Sequence, residues 1–231
     1  MWRGTVGERG QNGPVTYRLL RLILSLVAYV TLRPQVVGLH NVPRRGPVIL
    51  ASNHLSFLDS ILIPLVVPRQ VTFIAKAEYF TGRGIKGRIS RWFFTTMGNI
   101  PVDRDDPRAG QRSLEDALRV LEGGGAFGIY PEGTRSRDGR LHPGRTGVAW
   151  LALAAHTPVV PVALIGTDKV QPVGRRLPRP MRGGVQVRFG APIDPSHQLT
   201  AGARPAQVRR ELTDHVMTSI RHMSGQELAG R

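Results

Sequence analysis

Residues 47–66 read PVILASNHLSFLDSILIPLV. The run PVILAS is short, apolar and ends in small residues, which suits a strand covered on both faces. From Phe57 the pattern changes to that of a helix beginning, FLDSILIPLV. A strand that passes through a short polar loop into a helix is the repeating unit of a layered α/β domain. The loop gathers Asn53, His54, Ser56 and Asp59, and two chemistries compete for it. Ser56-Phe57-Leu58-Asp59 has capping-box spacing, in which the carboxylate reaches back to the amide of the residue that opens the helix. Equally, a histidine just ahead of a helix and an aspartate in its first turn lie within hydrogen-bond reach. The carboxylate would then hold one ring nitrogen, fix the tautomer and leave the other nitrogen free as a base.

Outward from this unit, apolar runs alternate with helical ones. QVTFIAK, GNIPVD, AFGIYPE, VVPVALIG and GVQVRFGAPI read as strands. SLEDALRVLEGGG reads as a helix capped by Ser113, with Leu114, Leu118 and Leu121 at helical spacing and Gly123 ending it. GVAWLALAAHTP is a second helix, stopped by Pro158. The tail from Arg204 to Met223 places Val208, Leu212, Val216 and Ile220 at spacings of four and predicts a helix packed on the domain. The fold class expected is therefore α/β, a mainly parallel sheet flanked by helices. Ligands gather beyond the carboxyl ends of such strands. The polar clusters fall there: His54 and Asp59, then Lys76, then Arg104, then Glu132 to Arg135. Four loops are expected to converge on one edge.

The chain has 231 residues and suits one main domain. Its formal net charge of +16 favours anionic partners, although only an arginine inside a motif is informative when lysine is confined to Lys76, Lys86 and Lys169. Cysteine is absent, which excludes disulfides, thiolate catalysis and Cys-based zinc sites. No metal-ligand spacing stands out. Residues 1–34 form a separate arm ahead of a domain at 35–231. In the arm the uncharged stretch Leu22–Leu32 is flanked by Arg18, Arg21 and Arg33. Eleven residues fall short of the roughly 20 that a bilayer core demands, so the expectation is a helix lying in the membrane interface or, alternatively, one packed in the core.

A base at His54 needs something to deprotonate. There is no cysteine and no G-x-S-x-G elbow, so the nucleophile is expected to be a hydroxyl of the substrate, as in direct transfer of an activated acyl group.

NHLSFLD (53–59), GNIPVDR (98–104), YPEGTR (130–135) and VVPV (159–162), in that order, resemble the four signature blocks of the glycerolipid acyltransferases, especially the 1-acylglycerol-3-phosphate O-acyltransferase (lysophosphatidate acyltransferase) family. The likeness covers about residues 48–165. It implies His54 as general base with Asp59 as its partner. Arg104 and Arg135 would hold the acceptor's phosphate, joined by Lys76. Glu132 and Gly133 would shape the acceptor pocket, Thr134 would donate a hydrogen bond, and Pro161 would be structural. It further implies acyl-CoA or acyl-carrier protein as co-substrate with no resident cofactor or metal, and a lysophosphatidate-type acceptor. The oxyanion is expected to be met by backbone amides near the dyad. The partner would be a phospholipid surface, with the protein peripheral or monotopic on the cytoplasmic face of the cell membrane. Other readings are the same fold acting on glycerol 3-phosphate, another lysophospholipid or another alcohol, and a non-catalytic basic protein that binds membrane or nucleic acid. Aromatics at 6% and no reader motif speak against nucleic acid.

Overall fold

The computed structural model describes residues 14–103, 105–175, 177–179, 184–198 and 204–230. Six strands form the central sheet in the order β1 (Gln35–Val37), β8 (Gln186–Phe189), β7 (Val159–Ile165), β2 (Val48–Ser52), β6 (Ala126–Ile129), β3 (Val71–Thr72). All neighbours are parallel except β7 and β8. Helices α2 (Asp59–Val66), α5 (Ala109–Glu122), α6 (Gly147–Ala154) and α8 (Pro205–Ser224) complete the layers. The expected class, a mainly parallel sheet flanked by helices, is the one observed.

β2 is central, with Ala51 opposite Pro161 of β7 and Ile129 of β6, and all five of its residues are buried. Its apolar sequence reflects that position, because alternate side chains enter opposite cores. Val48 and Leu50 pack with Leu62, Ile63, Phe73 and Val162 on one face. Ile49 and Ala51 pack with Leu121, Phe127, Ala149 and Val216 on the other. In α8 the residues Val208, Leu212, Val216 and Ile220 are buried, as their spacing predicts.

Three expectations need correction. QVTFIAK is not one strand: β3 belongs to the main sheet, while β4 (Ile74–Lys76) leaves it and pairs in parallel with β5 (Ile100–Val102) as a separate two-stranded sheet. Phe73 makes the break, its carbonyl accepting the Ile100 amide while its ring turns into the core. Lys76 therefore ends a strand of the small sheet, opposite Val102, and the four loops do not line one sheet edge. Secondly, Ser113 does not cap α5, which starts four residues earlier; its hydroxyl donates back to the Ala109 carbonyl inside the first turn.

The third correction concerns the arm. Helix α1 spans Pro14–Leu32, and its segment Val15–Leu32 has the length and composition of a membrane span, so counting uncharged residues alone understated it. Almost none of that segment is buried, which removes the core-helix alternative. Arg21 ties α1 down by donating to the carbonyls of Pro64, Leu65 and Val67, groups that the end of α2 leaves without helical partners. Three α-helices were not expected at all, α3 (Glu78–Thr81), α4 (Gly84–Thr96) and α7 (Thr167–Val170), nor was the short exposed strand β1.

Candidate active site

The carboxyl ends of β2 and β6 are adjacent, so the loops that follow them meet. Main-chain bonds stitch them together: the His54 amide donates to Glu132 Oε1 at 3.0 Å, and the Ser136 amide donates to the His54 carbonyl at 2.7 Å. The second Glu132 oxygen accepts the His142 amide at 3.0 Å. Glu132 is thus a buried clasp between the His54 loop and its own loop. Burial raises its pKa, opposed by the His142 and His54 amides that favour the charged form.

Asp59 fulfils both of the competing roles. Its Oδ2 accepts His54 Nδ1 at 2.9 Å and the amides of Leu55 and Ser56, each at 2.7 Å. The Ser56 amide bond is half of the capping box. The Ser56 hydroxyl, by contrast, donates to the Gln171 carbonyl and accepts the Leu58 amide. Because Asp59 is an acceptor here, the proton of the imidazole belongs on Nδ1, and Nε2 carries the lone pair. Asp59 is fully buried, and its Oδ1 has no hydrogen-bond partner among the described residues. The His54 side chain keeps 13% of its surface exposed, while Asp59 behind it keeps none.

Tyr130, which the sequence did not single out, fixes the plane of the imidazole. Its ring stacks on His54 with centroids 3.7 Å apart and planes 9° from parallel, while its hydroxyl bonds Ser60 at 2.8 Å. Burial, reinforced by the Asp59 charge, pushes the Tyr130 hydroxyl well above its usual range, so it remains protonated. Phe73 stacks beneath Tyr130 at 5.5 Å. Gly128 makes room for that stack, since a Cβ there would meet the Phe73 ring at 2.1 Å.

Of the expected cations, Arg135 precedes Ser136, whose amide reaches His54, and forms no ion pair with a described residue. Thr134 is exposed beside it. Gly133 takes a left-handed φ of 76°, which suits glycine, and lies against Arg145, a further cation that sequence reasoning passed over. Lys76 is half-exposed and faces Glu78 at 3.8 Å. Arg104 lies outside the described residues. Among the described residues no group of three His, Asp or Glu side chains is placed to hold a metal. Of the backbone amides near the dyad, those of His54, Leu55, Ser56 and Ser136 already donate within the site.

The last support comes from the chain's far end. Asn53 is buried and locked to Leu164 of β7 through both its amide groups, and it also donates to Gln226 Oε1 at 2.7 Å. Gln226 in turn donates to the Gly139 carbonyl at 2.7 Å, bridging the two site loops. Gln226→Ala is expected to cost about 1 kcal/mol of stability and to lower turnover less than tenfold. A urea midpoint and a turnover number both unchanged would show that the bridge carries nothing.

The comparisons with known proteins agree in direction. The model of the Acyltransferase family matches residues 33–165. The chain is 35% identical over 157 residues to a chloroplastic 1-acyl-sn-glycerol-3-phosphate acyltransferase of Brassica napus, covering 68% of this chain and 44% of that protein. It is 31% identical over 220 residues to 1-acyl-sn-glycerol-3-phosphate acyltransferase alpha of Homo sapiens, covering 94% and 74%. The crystal structure of the 1-acyl-sn-glycerophosphate (LPA) acyltransferase PlsC from Thermotoga maritima is similar with a TM-score of 0.69 at 27% identity, covering 90% of this chain and 79% of that one. The chain spans about half the length of the plant relatives it matches.

Proposed function

Since the chain belongs to the acyltransferase family, we propose that it moves a fatty acyl group from a thioester, acyl-CoA or acyl-carrier protein, to the free hydroxyl of 1-acylglycerol 3-phosphate, giving phosphatidate. The observation that carries this reading is the stitched pair of loops, which puts an oriented imidazole beside a segment bearing Arg135. His54 Nε2 takes the proton of the acceptor hydroxyl as its oxygen attacks the thioester carbonyl. Asp59 stabilises the imidazolium that forms. The tetrahedral intermediate expels the thiolate, and the imidazolium returns the proton to it. Arg135, with Lys76 and Arg104 as further cations, holds the phosphate so that the hydroxyl meets His54, a gain in positioning rather than in chemistry. Thr134 supplies a neutral donor to the same group. Acyl-CoA or acyl-carrier protein enters as co-substrate, and no step requires a resident cofactor. The exposed apolar α1 supports association with a phospholipid surface, and that contact is proposed to lie on the cytoplasmic face of the cell membrane.

The test is acyl transfer from a labelled donor to a panel of acceptors, read by product mass. Lysophosphatidate is expected to be acylated in preference to lysophosphatidylcholine or glycerol 3-phosphate. Arg135→Ala is expected to raise the KM for lysophosphatidate about tenfold or more, with kcat little changed. Transfer confined to an acceptor without a phosphate monoester would overturn the reading.

A further inference from the structure

Helix α4 has the makings of a surface helix turned inside out. Its inner side packs normally: Gly87 and Phe94 are buried, Tyr79 stacks on Phe94 at 4.6 Å, and Phe57 meets both rings at 5.9 and 6.4 Å. On the opposite side, where polar residues belong, stand Ile85, Ile89 and Trp92, which are 68%, 60% and 43% exposed. At about 100° per residue, these three share one stripe, with Lys86 on one flank and Arg88 on the other. Between Glu78 and Asp103 the chain has no acidic residue, and it carries Arg83, Lys86, Arg88 and Arg91. Arg83, Lys86 and Arg88 form no ion pair with a described residue, so their charge is turned outward.

We propose that the outer face of α4 docks on an anionic phospholipid bilayer, as a contact separate from α1. An exposed apolar stripe between unpaired cations matches the two requirements of a helix lying in a membrane interface: an apolar face for the acyl boundary and basic flanks for anionic headgroups. Tryptophan at the edge of the stripe suits the same depth. The inner face gives the docking a purpose. Phe57, on the loop between His54 and Asp59, rests on the aromatic block of α4, so seating that helix on lipid sets the height of the base above the surface. The proposal rests on the acyltransferase reading only for that purpose, and binding is measured here without turnover.

The test uses the full chain with vesicles of phosphatidylcholine alone or with one quarter phosphatidylglycerol, the acyl chains brominated in half of the samples. Trp92 emission, taken as the difference between the parent chain and Trp92→Phe, is expected to shift to the blue and to be quenched by brominated chains. The response is expected to weaken in high salt. An Ile85→Asn, Ile89→Asn double variant is expected to melt like the parent and to bind the anionic vesicles at least about tenfold more weakly. Vesicle-bound protein with unquenched Trp92 would overturn the proposal, showing that α1 alone holds the chain. So would a double variant that binds as tightly as the parent. Loss of self-association in the double variant would assign the stripe to a second copy instead. Loss of transfer from acyl-carrier protein alone, with vesicle binding intact, would assign it to that acidic partner.

Discussion

His54→Ala is expected to lower acyl transfer by about 10²- to 10⁴-fold while the chain still folds. The geometry separates the two effects. What holds the base loop in place is main chain: the His54 amide on Glu132 and the His54 carbonyl under the Ser136 amide both survive loss of the ring. Removing the imidazole forfeits the Asp59 contact and the stack on Tyr130, the latter worth about 0.5–1.5 kcal/mol, a loss visible in a melting curve but not enough to unfold a domain. Turnover and thermal denaturation measured on one preparation settle the matter. Near-native turnover in the variant would remove His54 as the base.

Asp59→Ala is expected to damage the protein far more than Asp59→Asn. Alanine strips the acceptor from two buried amides, Leu55 and Ser56, at about 1–3 kcal/mol each, and it releases the imidazole as well. Asparagine meets a different constraint. The two amides point at one oxygen position, so they hold the side-chain carbonyl there and turn its NH₂ toward the place of Oδ1, which is buried without a partner. The carbonyl then still accepts from Nδ1, and the tautomer is kept. What is lost is the negative charge facing the imidazolium, together with the cost of burying one unpaired NH₂. Turnover is therefore expected to fall about 10- to 100-fold in Asp59→Asn, short of the full contribution of general-base catalysis, and stability less than in Asp59→Ala. Equal activity losses in the two variants, with both folded, would mean that the amides do not dictate how the asparagine sits.

The strand, loop and helix at 47–66 were legible because burial on both faces leaves a continuous apolar run and because the polar residues of the loop are close in sequence. The break at Phe73 was not, since VTFIAK contains no turn residue and each half pairs with a different distant strand. Helix α4 escaped notice for the reason that makes it interesting: with apolar residues on both sides, its periodicity does not separate an inside from an outside. In the site, the dyad was visible as a local spacing. Glu132 was found by motif, but its bonds to the His54 and His142 amides were not legible, because a carboxylate that accepts backbone amides looks in sequence like any other. Tyr130 opened a quoted motif yet carried no charge to draw attention. Gln226 lies 173 residues from the amide it supports, beyond the reach of any local pattern.

The column formed by Phe73, Tyr130 and His54, with Gly128 at its foot, sets terms for change in the core. Enlarging residue 128 by one methyl drives it into the ring of residue 73, and the displacement is handed upward to the imidazole. Positions 73 and 128 therefore act as one volume-conserving pair, and a chain that drifts to a larger residue at 128 preserves its chemistry only by accepting a smaller one at 73.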